Sequence, residues 1–330
     1  MDKRLFASYD NVRVQTPLSE LCQTLFDRQI ATWPGMNEAY GRLKGARQRD
    51  IKGDGFIFTL QFNPGRVKSV MAETDAASIA KRPCFLCSDQ RPSEQAAIMY
   101  HNDFEILCNP YPIFTPHLTI VHCRHLLQDM GENARDFLAL ARDLSPRFSV
   151  FYNGPRCGAS APDHLHFQAS PSGAIPVEHD DANTAEAIET PIAGVSFFIS
   201  FRPGRRYLLL EGDQLEALAS AITAVMMILK VIEGGEAEAM VNIIAAFADG
   251  RWRVWIFPRR KHRPDVFFRQ GDDARAVTPG AVEMGGLVVS TRERDFMELD
   301  WKQLIDIFED VSADEKTVRG LIDALVAMRK

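Results

Sequence analysis

Two histidines and a glutamine occupy alternate positions in the segment DHLHFQAS, which begins at Asp163. Side chains of a strand alternate between its two faces, so His164, His166 and Gln168 are predicted to project to one side. The intervening apolar residues can then pack on a core while the polar side lines a cleft. A neutral imidazole is a competent nucleophile toward phosphorus, because its reference pKa of about 6.5 leaves the ring unprotonated at physiological pH. The segment predicts a phosphorus nucleophile on a rigid strand; the alternative is that these are satisfied polar residues in a pocket wall.

The turn before this strand, YNGPRCGASAP, is rich in small residues, among them Asn153, Gly154, Gly158 and Ser160. Small residues let backbone N–H groups and a hydroxyl approach an anion closely. The turn is therefore predicted to contact phosphate. The alternative is an ordinary tight turn.

A third group of reactive residues is the pair Cys84 and Cys87, separated by two residues. Six of the eight histidines lie close to it in sequence, at positions 101, 117, 122, 125, 164 and 166. A Cys-x-x-Cys pair is half of a tetrahedral zinc site, and zinc accepts mixed cysteine and histidine ligands. We predict a structural zinc ion bound by Cys84, Cys87, His125 and His164, with His117 as the alternative to His125. A redox dithiol and two buried thiols are further alternatives.

Length and composition describe an ordinary globular chain of 330 residues, 46% hydrophobic and 25% charged. Its formal net charge of −6 argues against a general affinity for nucleic acid, which requires a surplus of basic residues. The N-terminus has no apolar core of a signal peptide, and the apolar stretch at 219–232 reads as too short and interrupted to span a bilayer. A cytoplasmic location without a membrane partner is expected.

Helices and strands alternate in two similar orders along the chain. Helical spacing predicts helices over 17–33, 130–144, 213–233, 301–310 and 314–329. Strand composition predicts strands within 55–66, 103–125, 148–155, 163–170, 195–212 and 285–291, and a hairpin in 240–259 that turns at Asp249-Gly250. Residues 171–193 are polar and aperiodic and are predicted to be a long connection. These elements predict an α+β fold in which antiparallel sheet is flanked by helices.

His164-Leu165-His166-Phe167-Gln168 resembles a signature of the histidine-triad and galactose-1-phosphate uridylyltransferase-like nucleotidyltransferases, whose transferase branch has a glutamine where hydrolases have a third histidine. The segments LQFNPGR, NPYPIFTPHLTIV, YNGPRCGASAPDHLHFQA and VNIIAAFADGRWRVWIFPR further resemble the GDP-hexose phosphorylases, which act on GDP-L-galactose or GDP-D-glucose. The resemblance implies two related halves, as in galactose-1-phosphate uridylyltransferase. They are an N-terminal catalytic half at 1–170 and a C-terminal half at 194–330, joined by the connection at 171–193.

The resemblance also implies roles for single residues. His166 matches the nucleophile that forms a covalent nucleotidyl intermediate, and Gln168 matches the glutamine that hydrogen-bonds the transferred phosphoryl group, with His164 beside them. The residues implied to contact substrate are Asn63, Arg66, Asn109, His117, Asn153, Gly158 and Ser160. The basic run RRKHRP, from Arg259 to Pro264, is interpreted as a solvated hairpin end, with contact to substrate phosphate as the alternative.

The predicted reaction is a double displacement on a nucleoside diphosphate sugar, with a GDP-hexose favoured. His166 attacks the α-phosphorus, the sugar 1-phosphate leaves, and inorganic phosphate or a sugar phosphate takes the nucleotidyl group. No organic cofactor is expected, and a homodimer is left open. The alternatives are a dinucleoside polyphosphate phosphorylase, a nucleotide hydrolase of the same superfamily, and a zinc-stabilised nucleotide-binding protein without catalysis.

Overall fold

The computed structural model describes residues 4–10, 16–67, 78–79, 81–181, 185–235 and 237–328. Its helices are α1 (Leu18–Thr32), α2 (Pro34–Lys44), α3 (Ala134–Asp143), α4 (Leu215–Glu233), α5 (Ala281–Met284), α6 (Glu293–Glu298), α7 (Trp301–Val311) and α8 (Glu315–Ala327). Its strands are β1 (Leu5–Tyr9), β2 (Arg47–Gly53), β3 (Phe56–Phe62), β4 (Ala97–Tyr100), β5 (Phe104–Cys108), β6 (Leu118–His122), β7 (Phe148–Asn153), β8 (His166–Pro171), β9 (Glu186–Ile188), β10 (Val195–Arg202), β11 (Arg205–Gly212), β12 (Val241–Ala248), β13 (Arg251–Pro258) and β14 (Leu287–Ser290).

An 11-stranded sheet in the order β1-β4-β5-β6-β8-β7-β12-β13-β11-β10-β9 runs through the whole molecule. Its strands pair antiparallel except for β1, which lies parallel to β4. The order β5-β6-β8-β7 on one side is repeated as β10-β11-β13-β12 on the other, with α3 or α4 inserted at the same point of each unit. The predicted α+β fold with two related halves is confirmed. The two units meet where β7 pairs with β12, with Asn153 opposite Asn242.

Both faces of the central strands are buried, since alternate residues enter two different cores. On β12, Ile243 lies in the core formed with α1, α2, α3, α4 and α8, whereas its neighbour Ile244 lies in the core on the opposite face. The same alternation separates Val254 from Trp255 on β13. These strands therefore read in the sequence as nearly continuous apolar runs, as expected when a sheet is covered on both sides.

The second core lies under a small sheet in which β3 pairs with β2 and also with β14. Strand β14 lies parallel to β3, so a segment from the end of the chain is hydrogen-bonded to one from its beginning. Phe58 of β3 is fully buried against Trp301 and Phe308 of α7. This layer brings residues 63–66 and 278–289 to the same side of the large sheet as His166.

The structure departs from the predicted elements in several places, among them the connection at 171–193 and helix α4. Residues 171–193 are not a plain connection, because they include a short 3-10 helix and strand β9, which extends the sheet beside β10. Helix α4 is 19 residues long, and by length and composition alone it could cross a membrane, with 39% of that window buried. Leu218, Ile222 and Leu229 of α4 are part of the main core, as in the core helix of a globular domain.

Candidate functional site

A cavity of about 750 Å³ opens beside the predicted nucleophile. Its floor is the sheet surface formed by His166 and Gln168 of β8 with Phe151 and Asn153 of β7. One wall comes from the turn at 158–160 and the segment 82–95, and the opposite wall comes from residues 278–283 and Val289. Both halves of the chain thus contribute to a single cavity.

His166 is held with one ring nitrogen left for chemistry. Phe167 is buried on the opposite face against Phe104 and Phe137, which turns the His166 side chain toward the cavity. The Nδ1 atom lies 2.8 Å from the carbonyl oxygen of His164 and must donate to it, because a carbonyl oxygen only accepts. Burial lowers the pKa of His166 to about 4, so the ring is neutral and Nε2 carries the free lone pair.

The backbone of His166 is fixed as firmly as its ring. Gln128, which is buried, accepts from the His166 N–H at 2.8 Å and donates to the His166 carbonyl at 3.0 Å. The same amide nitrogen of Gln128 donates to the carbonyl of Asn153. Gln128 therefore ties β8 to the end of β7. Sequence reasoning did not identify it, since it lies in an irregular segment between strands.

The glycine-rich turn contacts the opposite half of the chain. Gly158 has φ +107, and a Cβ there would lie 2.9 Å from the Cα of Gly280. The side-chain oxygen of Asn153 accepts from the N–H of Ala281 at 2.7 Å and from Asn242 at 2.9 Å. Because both of these bonds use the side-chain oxygen, the NH₂ group of Asn153 can donate to a ligand in the cavity that Asn153 lines.

Arginine side chains make the cavity walls cationic. Arg66, Arg82, Arg91 and Arg263 line it; Arg91 pairs with Glu105, and Arg66 interacts electrostatically with Glu283 of the opposite wall. The Nε atoms of Arg66 and Arg82 are buried without a hydrogen-bond partner among the described residues. Such groups favour a bound anion, because guanidinium groups pair well with phosphate oxygens.

The basic run from Arg259 to Pro264 is not a solvated hairpin end, and that interpretation was wrong for most of it. Arg259 is 2% exposed and donates to the carbonyl oxygens of Pro279 and Lys261 at 2.8 and 3.0 Å. His262 and Arg263 line the cavity. The sequence offers no signal for this position, because only the strand order in the folded sheet brings the end of β13 to the cavity.

Four side chains form a compact cluster beside the cavity: Cys84, Cys87, His125 and His164, whose ligand atoms all lie within 4.8 Å of one another. The Cys84 sulfur lies 3.3 Å from His164 Nδ1, and the Cys87 sulfur lies 3.2 Å from His125 Nδ1. Ligands of a tetrahedral zinc ion with bonds of about 2.0–2.3 Å are separated by about 3.6 Å, so this cluster fits zinc. His164 Nε2 lies 2.8 Å from the carbonyl oxygen of His122, which leaves Nδ1 unprotonated and directed at the thiols.

Three predicted site residues lie elsewhere than the sequence suggested. His164 does not share a strand face with His166, because β8 begins at His166 and the preceding residues turn toward the cysteines. Asn63 does not line the cavity; its amide is bound to Gln61 and to the carbonyl of Pro112. His117 is fully buried and contacts Gln168 rather than the cysteine pair, so it is not the third metal ligand.

The remaining predicted residues lie at the cavity. Arg66, Asn109, Gly158 and Ser160 all line it. The amide nitrogen of Asn109 donates to Thr119 at 3.1 Å, and its oxygen accepts from the N–H of Tyr111 at 2.8 Å, which orders the turn after β5. Glu283, which sequence reasoning missed, brings a carboxylate into the opposite wall and accepts from the N–H of Gly280 at 3.0 Å.

Comparison with known proteins finds two family models, one for each half of the chain, and solved structures of similar fold. Residues 25–171 match the model described as a domain of unknown function, DUF4922, and residues 195–327 match the model described as "GDPGP1-like, C-terminal domain". No curated protein gives a significant match.

Among solved structures, yeast Ap4A phosphorylase Apa2 has a TM-score of 0.59 at 15% identity, over 90% of this chain and 98% of that chain. Its complex with AMP has a TM-score of 0.55 at 12% identity, over 88% and 95% of the two chains. A more distant likeness is to the ADP-glucose phosphorylase from Arabidopsis thaliana, with a TM-score of 0.36 at 14% identity, over 77% and 100% of the two chains. The chain thus contains a GDPGP1-like domain at its C-terminal end, and its fold is similar to that of Ap4A phosphorylase.

Proposed function

We propose that the protein is a nucleotidyltransferase that cleaves a nucleoside diphosphate sugar, with a GDP-hexose as the favoured substrate. The observation that carries the proposal is the neutral His166 ring at the floor of a cationic cavity, with Nε2 unpaired among the described residues. The resemblance of the sequence to the GDP-hexose phosphorylases supports a GDP-hexose, and residues 195–327 match the GDPGP1-like model.

In the first step Nε2 of His166 attacks the α-phosphorus and forms a P–N bond. The bond from that phosphorus to the bridging oxygen breaks, and the sugar 1-phosphate leaves with the electron pair. The proton on Nδ1 stays in its bond to the His164 carbonyl, which offsets the positive charge that the ring acquires. The amides of Gln168 and Asn153 donate to the phosphoryl oxygens, with Ser160 beside them.

In the second step an oxygen of inorganic phosphate attacks the same phosphorus from the side that the sugar phosphate left. The P–N bond breaks, the nucleoside diphosphate is released, and His166 returns to its neutral form. Arg66 and Arg82 are placed to bind the anionic leaving group and acceptor in turn, because their buried Nε atoms have no other partner in the described chain. A sugar phosphate can serve as the acceptor by the same route.

The zinc ion assigned to Cys84, Cys87, His125 and His164 has a structural role in this proposal. Bound by these four residues, it would hold the turn before β8, and the carbonyl of His164 in that turn positions the His166 ring. Residues 1–170 supply the nucleophile, and residues 194–330 close the cavity and support it. We place the enzyme in the cytoplasm.

A second candidate, phosphorolysis of a dinucleoside polyphosphate, is favoured by the likeness in fold to Ap4A phosphorylase over about nine-tenths of both chains. Its chemistry at His166 is the same, and only the leaving group differs: a nucleotide in place of a sugar phosphate. The two substrates therefore have to be separated by assay.

The test is covalent labelling with GDP-, ADP- and UDP-hexoses and with Ap4A, each labelled at the α-phosphorus. We expect acid-labile label on the wild type, its release by inorganic phosphate as nucleoside diphosphate, and no label on a folded His166→Ala variant. His179→Ala is the matched control, since His179 is exposed and does not line this cavity. An active His166→Ala variant would end the proposal. Turnover without phosphate would indicate a hydrolase. Tight nucleotide binding without covalent label would indicate a non-catalytic protein.

A further inference from the structure

His117 is a fully buried histidine that the proposed reaction does not use directly. Its Nε2 lies 3.0 Å from the side-chain oxygen of Gln168, and its Nδ1 lies 3.2 Å from the backbone nitrogen of Ile113. Its ring stacks on Phe151 at a centroid distance of 6.0 Å. Both ring nitrogens are thus engaged, one by the backbone and one by the residue placed next to the nucleophile.

The backbone contact determines the proton positions without ambiguity. A backbone N–H can only donate, so Nδ1 of His117 must carry a lone pair and Nε2 must carry the proton. Burial lowers the pKa of His117 to about 3, which excludes the doubly protonated ring near neutral pH. Nε2–H therefore donates to Gln168, and the atom that it meets must be the amide oxygen.

The segment that supplies this N–H is itself held in place. The carbonyl of Ile113 accepts from Gln61 at 3.1 Å, and the neighbouring Pro112 carbonyl accepts from Asn63 at 3.0 Å. Tyr40 binds the backbone of His117, 3.2 Å from both its nitrogen and its oxygen. A series of hydrogen bonds therefore connects β3 through Ile113 and His117 to Gln168. Asn63 supports the same segment through Pro112, although it does not line the cavity.

We infer that His117 is a positioning residue that fixes the amide of Gln168 with its NH₂ group toward the cavity. The inference rests on the proposed function and deepens it. With the oxygen of Gln168 bound to Nε2–H, only the NH₂ end faces a bound phosphate, where it donates to an anionic oxygen. The reversed amide would present its oxygen to that anion and repel it. His117 thus selects the productive one of two nearly isosteric orientations before substrate binds.

The test is a double-substitution cycle read by single-turnover formation of the nucleotidyl enzyme from GDP-glucose. Gln168→Met removes the donor and should slow this step about 100-fold, the usual effect of losing one donor to a developing oxyanion. His117→Asn keeps an acceptor near Ile113 but removes the donor to Gln168, and should slow the step about 10-fold, as for one hydrogen bond of ordinary net strength. The doubly substituted protein should match Gln168→Met within about 2-fold, since His117 acts only through Gln168.

Tyr40→Phe is the matched control, because it removes a hydrogen bond to the same segment and leaves the His117 ring and Gln168 in place; it should slow the step less than His117→Asn does. A loss from His117→Asn that multiplies with that from Gln168→Met, or a His117→Asn rate equal to that of the wild type, would overturn the inference. Proton–nitrogen correlation of the imidazoles in the wild type is an independent readout: the Nε2–H tautomer of His117 is expected, and the Nδ1–H tautomer would refute it. A wild type that forms no nucleotidyl enzyme refutes the proposed function instead, and the tautomer measurement still decides the orientation.

Discussion

Replacing Glu238 with glutamine should stabilise the protein, and the gain should increase as the pH rises from about 5 to about 8. Glu238 precedes β12, and its carboxyl group accepts from the hydroxyl of Tyr152 at 2.6 Å and from the N–H of Met130 at 2.5 Å. Burial raises the pKa of Glu238 from 4.5 to about 8, against the lowering effect of these two hydrogen bonds. The folded protein therefore holds this carboxyl protonated at neutral pH.

The sign and size of the effect follow from proton linkage. Since the pKa is higher in the folded state, the contribution to stability is complete below the unfolded value of 4.5 and is lost as the pH rises toward about 8. Each pKa unit corresponds to about 1.4 kcal/mol, so about 3 kcal/mol is lost by pH 7. This value is an upper bound, because the Glu238 side chain is only partly buried and solvent screens its charge. Glutamine imitates the protonated carboxyl group and does not titrate.

The measurement is urea unfolding of the wild type and Glu238→Gln at pH values between about 5 and 8. The two free energies of unfolding should nearly coincide at the acidic end and diverge above it by at most about 1.4 kcal/mol per pH unit. Glu216→Gln is the control, because Glu216 is an exposed partner of Arg135 and should produce a small difference with little pH dependence. Parallel curves for the wild type and Glu238→Gln would refute the reasoning.

Two further substitutions test the supports of the cavity. Arg259→Met should lower the free energy of unfolding by about 3–5 kcal/mol and raise the phosphate concentration needed for half-maximal turnover, because several buried carbonyl groups lose their donor. The half-exposed Arg260→Met should cost less than about 1 kcal/mol, and equal costs in urea unfolding would contradict this. Metal analysis should find about one zinc ion per chain, and Cys87→Ser should lose it and lower the melting temperature. The exposed Cys123→Ser should retain both, and a metal-free wild type of full stability would rule out the zinc site.

Several elements could be predicted from the sequence because local patterns specify them. Helix α4 was predicted from its apolar spacing and ends at Gly234, which has φ +65. The turn of the β12–β13 hairpin was predicted from Asp249 and Gly250, and both residues have positive φ as a tight two-residue turn requires. By contrast, β2 has the sequence RQRDIKG, and α2 carries two glycines, so neither shows the period of its element. These elements form because β3 and the main core supply partners that are distant in sequence.

The chemistry of the site divides in the same way. The residue types and spacing of DHLHFQAS, and the Cys84/Cys87 pair, were sufficient to predict a histidine nucleophile beside a zinc cluster, because those features lie within short segments. Whether His117 or His125 joins the cysteines could not be read from spacing, since both lie on the same stretch of chain. Only the folded sheet decides it, because β6 begins at Leu118 and ends at His122, leaving His117 beside Gln168 and His125 beside the thiols.

The sequence by itself predicted the nucleophile and determined the doubled order of strands and helices, because contiguous residues carry both. The tertiary structure alone decided which distant side chains share the cavity: His262 and Arg263, Glu283, and the buried supports Gln128 and Arg259. These positions depend on β7 pairing with β12 and on β3 pairing with β14, contacts between segments up to about two-thirds of the chain apart. Their stability comes from burying apolar side chains against distant segments, and the pattern of one strand does not specify which strand will pair with it.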